Sequence, residues 1–291
     1  MPTEANRTSA AYRADANAKH YGRDTLDRAT GTLILIGGAT TPNGRALGEF
    51  VRLSGATRNG RVVALTSASG NPDASARQWR RDLRAAGCRT VNVPIVHSRD
   101  DASNPRVVEL LTQADGIFLG GGDQVKLVSI IGGTPVGHAI QDAYVRGVVI
   151  GGTSAGAAAL SKTTLAGNEV DEHGQLVEQY IGPGLGLIKH QALIDTHFSQ
   201  RRRLYRLFVA LAEFPELLGL GIDEDTALVV SGDLGRVVGA GGVTFVDGRN
   251  VSYSNAAELR DGQPLTVSAM RVGVIGAGHT FDLARRELVI D

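Results

Sequence analysis

The sequence predicts an α/β fold: a doubly wound, mostly parallel sheet flanked by helices, with extra short strands toward the C-terminus. Three observations carry this. Short apolar runs alternate with segments of helical spacing between residues 31 and 150, the pattern of parallel crossover units. Glycine is in excess without a collagen period, 38 of 291 residues, or about 13% against a usual value near 7%. That excess signals many tight turns and close backbone approaches. The remaining composition, 42% hydrophobic and 21% charged, is that of an ordinary globular chain.

Taken in order, residues 32–36 (TLILI) read as a buried strand ending in Gly37-Gly38. Residues 43–53 have helical spacing, with Leu47, Phe50, Val51 and Leu53 apolar. Residues 62–65 form a second strand, and 73–86 a helix with Asp73 expected as its N-cap. A third strand at 91–96 and a third helix at 105–113 follow. Residues 116–119 (GIFL) are a fourth strand running into Gly120-Gly121-Gly122. Helices at 125–131 and 136–146 lead to a fifth strand at 147–150. The last third differs: a helix at 199–212, then short strands at 226–230, 236–238, 243–246 and near 252, with more across 265–274 and 280–290. This β-rich end is expected to extend or flank the main sheet. Residues 1–30 are polar and Ala-rich and lack the apolar core of a secretory signal. They are expected to form a flexible tail or arm ahead of a single α/β domain spanning 31–291.

Composition excludes several function classes. Lys+Arg and Asp+Glu are both 30, so the basic excess of a nucleic-acid binder is missing. No run approaches the roughly 18 apolar residues of a membrane span. Cys88 is the only cysteine, which excludes an internal disulfide and a Cys-rich zinc site. No metal is expected, and the lone cysteine with no signal makes the cytoplasm the expected location.

The most informative segment is Gly152-Thr153-Ser154-Ala155-Gly156, a match to G-x-S-x-G between a buried strand and an Ala-rich helical stretch. A nucleophile at the top of a strand must sit on a sharp, strained turn, and glycines two residues either side remove the steric conflict. The following helix places N–H groups beside Ser154, making the Ala155 N–H a candidate oxyanion donor. The competing reading is a glycine-lined turn with Ser154 as a helix N-cap.

A serine needs a base. Of seven histidines, His20 lies in the tail, His138 in a helix and His173 in a polar loop, with His97 and His279 elsewhere. His197 ranks first and His190 second, because they flank the apolar run 192–194 and strand ends of parallel sheets gather sites. The third acid has two sources: Asp223, Glu224 and Asp225 at a strand end, or Asp171 and Glu172. Four arginines in six positions, Arg201, Arg202, Arg203 and Arg206, follow His197. Such a run is usually solvated, but beside a base it suits carboxylate clamping. The Gly120–Gly122 turn lacks the Lys-Ser/Thr end of a P-loop. It serves better as a second oxyanion donor, from Gly121 or Gly122.

Together these residues resemble the cyanophycinase branch of the peptidase E-like serine peptidases. The matching stretches are 33–39, 120–124, 151–157, 195–206 and 219–227, within roughly residues 31–250. The resemblance implies a class I glutamine amidotransferase-like fold with serine in place of cysteine at the elbow, no cofactor, and often a homodimer. It implies hydrolysis of cyanophycin, a polyaspartate with arginine on its β-carboxyls, to β-aspartyl-arginine. Carried over by position, Ser154 is the nucleophile, His197 its base and Glu224 the third member. Gln124, Asp195, Arg201, Arg203 and Arg206 match substrate-pocket positions, whereas Arg202 reads as surface. Two departures bear on specificity: Thr196 stands where the family has glutamine, and 40–43 (TTPN) replaces an acidic stretch. Thr196 keeps a second reading open, a dipeptidase for short aspartyl or isoaspartyl peptides. A third reading, a non-catalytic binding relative, runs against the intact set of site residues.

Overall fold

The computed structural model describes residues 31–170, 176–258 and 263–290. The expected tail at 1–30 lies outside the described residues, as do His20, Asp171, Glu172 and His173. In chain order the elements are β1 (Leu33–Ile36), α1 (Arg45–Leu53), β2 (Arg61–Leu65), α2 (Pro72–Ala85), β3 (Thr90–Asn92), α3 (Pro105–Thr112) and β4 (Gly116–Leu119). Then come α4 (Gln124–Ile131), α5 (Pro135–Val145), β5 (Val149–Thr153), α6 (Ala155–Ala158), β6 (Thr163–Val170), β7 (Leu176–Pro183) and β8 (Ala192–Thr196). The chain continues with α7 (Leu204–Glu213), β9 (Leu218–Ile222), β10 (Thr226–Ser231), β11 (Leu234–Gly239) and β12 (Gly242–Asp247). It closes with β13 (Tyr253–Ser254), β14 (Val267–Ser268), β15 (Arg271–Gly276), β16 (Thr280–Asp282) and β17 (Glu287–Val289).

The main sheet has the order β17-β16-β11-β10-β1-β5-β4-β2-β3. Strands β1, β5, β4, β2 and β3 run parallel, and β10, β11, β16 and β17 continue the sheet antiparallel from β1. The inner parallel strands are covered on both faces, so they read as apolar runs rather than alternating ones. Leu33, Leu35, Leu65, Ile117 and Leu119 pack on one face with α3, α4 and α5. Ile34, Ile36, Val62, Ala64 and Phe118 pack on the other with α1 and α2. Phe118 meets Phe50 of α1 edge to face at 5.0 Å and Trp79 of α2 at 4.7 Å. The β-rich end does both things expected of it. Besides extending the main sheet, it builds a second sheet, β15-β12-β9-β8, on which α7 packs through Leu207 and Leu211.

Several boundaries differ from expectation, among them the fifth strand, which runs Val149–Thr153 rather than 147–150, and three others. The N-cap of α2 is Asn71, not Asp73: Pro72 takes the first helical position, where it is favoured, and Asn71 accepts the Ala74 N–H at 3.1 Å. The third strand stops at Asn92, since Pro94 has no N–H for the ladder. The arginine-bearing helix starts at Leu204, not Ser199.

One buried ion cluster fastens the C-terminal strands. Asp247, 4% exposed, accepts from Arg286 at 2.6 Å and from Arg249 at 2.9 Å, with Arg271 at 3.4 Å. Burial pushes the Asp247 carboxyl up, but hydrogen bonds from Arg249 and Arg286 outweigh this and hold it at about 2, below its ordinary 3.8. Removing one partner of a buried pair strands the other charge, so Asp247→Ala is expected to cost about 3–5 kcal/mol in chemical denaturation. Because the folded pKa is depressed, this contribution is complete above pH 3.8 and is lost as pH falls through about 2. The stability gap between parent and variant should therefore be flat near neutrality and narrow only in that acid window.

Candidate active site

The register of the two sheets gathers five chain ends. Ile36 of β1 lies opposite Thr153 of β5 and Ala227 of β10, so Gly37, Ser154 and the 223–226 segment meet at one edge. Leu119 of β4 lies opposite Gly152, which brings the Gly120–Gly122 turn to the same level. Thr196 of β8 lies opposite Ile222 of β9, so His197 and Asp223 leave the second sheet side by side.

Ser154 sits on the expected elbow, with φ 53° and ψ −120°. Such a conformation costs a non-glycine residue about 1–3 kcal/mol. Its N–H is held by the Ile36 carbonyl at 2.9 Å. The flanking glycines are dictated by space: a Cβ on Gly152 would lie 2.4 Å from the Gly156 oxygen, and one on Gly156 2.2 Å from the Leu119 oxygen. Helix α6 is only four residues long, shorter than the Ala-rich run suggests. The carbonyls of Ala159, Leu160 and Ser161 are taken by the N–H groups of Leu185, Leu187 and Gly186 instead of continuing the helix. The Ser154 hydroxyl makes no cap hydrogen bond, which separates the two readings of the motif.

That hydroxyl lies 3.0 Å from His197 Nε2, and His197 Nδ1 lies 2.6 Å from Glu224 Oε1. An ionised carboxylate only accepts, so Nδ1 carries the proton and Nε2 is free to accept from Ser154. His197 has φ 50° and donates its N–H to Gly37 at 2.7 Å. Its ring rests on Gly38, where a Cβ would fall 2.2 Å from the imidazole. Gly38 is thus a site residue that the sequence reading passed over, although the Gly37-Gly38 doublet at a strand end was its signal. Glu224 is the member of the acidic trio that meets the imidazole. Asp223 instead accepts from Ser199 and Gly242, and Asp225, its carboxyl pushed up by burial, turns toward Gly44. His190 lies 3.1 Å from Asp233, His97 3.3 Å from Asp101, and His138 and His279 are exposed.

A cavity of about 130 Å³ opens on Ser154, lined by Gly122, Gln124, Ala155, Asp195, Thr196, Arg201, Arg203 and Arg206 among others. Gly121 packs on the serine from the side, its ideal Cβ position 3.8 Å from the hydroxyl. Asp195 is 1% exposed and is held by Arg206 through both oxygens, with Arg203 at 3.3 Å. Arg203 also donates to the Thr196 carbonyl at 2.7 Å. The late start of α7 explains the split within the arginine run. Arg203 and Arg206 turn inward, Arg201 reaches the cavity rim, and Arg202, with φ 52°, stays on the surface. Among the described residues, Arg203 and Arg206 pair with the buried Asp195 carboxylate, and Arg201 lines the same cavity. Burial first, then repulsion from Arg206, push Arg203 down to about 10; it stays charged at neutral pH. Gln124 donates to the Leu165 carbonyl of β6. The β6–β7 hairpin was not foreseen; residues 176–181 (LVEQYI) run in apolar and polar doublets and carry no period-2 signal. Among the described residues no group of three His, Cys, Asp or Glu side chains is placed to hold a metal ion, and no helix is long and apolar enough to cross a membrane.

A strained serine at a strand-to-helix elbow, aligned with a histidine and a carboxylate, defines a serine-type hydrolase. Residues 33–238 match peptidase family S51. The chain belongs to that family and is a serine-type peptidase. It is 35% identical over 229 residues to a cyanophycinase of Synechococcus elongatus, covering 78% of this chain and 71% of that one. It is 34% identical over 268 residues to the cyanophycinase of Nostoc sp. (strain PCC 7120), covering 90% and 89%. Among solved structures, a peptidase from an acI-B1 Actinobacterium superposes with a TM-score of 0.65 at 23% identity, over 88% of this chain and 98% of the other. That likeness supports the fold.

Proposed function

We propose that this peptidase hydrolyses cyanophycin to β-aspartyl-arginine, with Ser154 as nucleophile, His197 as base and Glu224 as its orienting acid. The observation that carries the reading is the cavity beside Ser154, which Arg201, Arg203 and Arg206 line together with Asp195. A peptide carrying a free carboxylate fits such a lining, because guanidinium geometry suits bidentate pairing with a carboxylate. Gln124, Asp195 and Thr196 complete the pocket that holds the aspartyl unit.

In the reaction, His197 Nε2 takes the Ser154 proton as the oxygen attacks the scissile carbonyl carbon. The N–H of Ala155 and one from Gly121 or Gly122 receive the developing oxyanion. As the tetrahedral intermediate collapses, the C–N bond breaks and His197 gives its proton to the leaving amine. Water then enters; His197 takes one of its protons as the water oxygen bonds the acyl carbon, and the acyl–Ser154 bond breaks as His197 returns that proton to the Ser154 oxygen and the acid leaves. The reading involves no cofactor and takes the enzyme as a cytoplasmic homodimer.

A specific observation favours short aspartyl or isoaspartyl dipeptides as the alternative substrate. After Gly38, which abuts the imidazole, residues 40–43 are Thr-Thr-Pro-Asn and themselves carry no carboxylate for an arginine. The test is a mass-spectrometric digest of cyanophycin with Ser154→Ala as blank. Release of β-aspartyl-arginine by the parent alone is expected. Cleavage of isoaspartyl dipeptides with the polymer untouched would select the alternative.

A further inference from the structure

We infer that Gln200 is a positioning residue for Glu224, one half of a reciprocal latch that aligns the acid with His197. The inference rests on the reading of Ser154, His197 and Glu224 as one unit. The Oε1 of Gln200 accepts the backbone N–H of Glu224 at 3.1 Å. In the opposite direction, Asp223 Oδ1 accepts the Ser199 N–H at 3.0 Å and the Ser199 hydroxyl at 2.5 Å. Between these, the Phe198 N–H reaches the Ile222 carbonyl at 3.2 Å. Residues 198–200 and 222–224 are thus laced together from both sides, immediately beside the residues that carry the imidazole and its carboxylate.

The latch answers a mechanical need. Glu224 lies at the end of β9 beyond the sheet ladder, and its side chain is 34% exposed, so packing alone does not fix a three-torsion carboxylate arm. Its partner has little tolerance, because the Nδ1–Oε1 distance is 2.6 Å, and supporting hydrogen bonds decide whether such a site is tight or loose. The two halves differ in what else they hold. Asp223 also accepts the Gly242 N–H at 3.1 Å and crowds Gly241, where a Cβ would lie 2.9 Å from Oδ2. Replacing it disturbs β12 as well as the site. Gln200 is exposed and does not line the cavity, so its loss isolates the effect on Glu224.

The test measures the rate at which a fluorophosphonate reacts with Ser154, alongside kcat and KM on a cleaved peptide. Gln200→Ala is expected to slow labelling and kcat by about five- to tenfold, the weight of one hydrogen bond, with KM and Tm unchanged. Gln200→Glu keeps the acceptor oxygen and should recover most of the rate. In a Glu224→Gln background, Gln200→Ala should add no further loss, the signature of residues acting through one another. Labelling of Gln200→Ala at the parental rate overturns the inference, as does a loss that multiplies in full with Glu224→Gln. A parent that does not label at all overturns instead the reading of Ser154 as nucleophile.

Discussion

Ser154→Ala is expected to lower kcat by about a million-fold, the scale set by removing the nucleophile of a serine triad. The hydroxyl does no structural work that alanine would forfeit. It makes no cap bond to α6, and the elbow is held by the Ser154 N–H on Ile36 and by the Gly152–Gly156 approach. Alanine at φ 53° carries the same backbone cost as serine. Tm should therefore move little while turnover vanishes, and substrate should still bind through Arg203 and Arg206. A variant that keeps even a hundredth of parental turnover would mean that another group attacks the peptide.

Glu224→Gln should cost about ten-thousandfold in kcat with the fold intact, the scale of the same change in a serine triad's acid. The reason is the tautomer. With a carboxylate at 2.6 Å, Nδ1 must hold the proton and Nε2 is a base 3.0 Å from the serine. An amide can present its NH₂ to Nδ1 instead, which places the ring proton on Nε2 and leaves nothing to accept from Ser154. An imidazolium formed during attack also loses its counter-charge. The steady-state kcat of Glu224→Gln, set beside Asp171→Asn and Glu172→Gln, decides among the three acids. Full activity in Glu224→Gln and loss in either of the others would reassign the third member.

The parallel half of the fold was readable because its inner strands, β1, β4 and β5, are buried on both faces, leaving an apolar run between helical segments. The elbow was readable because van der Waals contact, not polarity, fixes Gly152 and Gly156. The β6–β7 hairpin escaped because its apolar residues come in doublets, Leu176-Val177 and Tyr180-Ile181 around Glu178-Gln179, without a strand period. The split of the arginine run escaped for another reason. Arg203 turns inward because Asp195 is buried at the end of β8, a long-range fact that helical spacing over 199–212 does not contain. Likewise, spacing alone left Glu224 level with Asp223 and Asp225. Only the antiparallel addition of β10 beside β1, with His197 hung on Gly37 and Asp225 on Gly38, sets which carboxylate meets the ring.

The most direct test of the central claim is peptide mapping after reaction of the parent with a fluorophosphonate. A single adduct on Ser154 is predicted, absent from Ser154→Ala and much slower to form in Glu224→Gln. An adduct on any other residue, or none under conditions where the parent hydrolyses peptide, would contradict it.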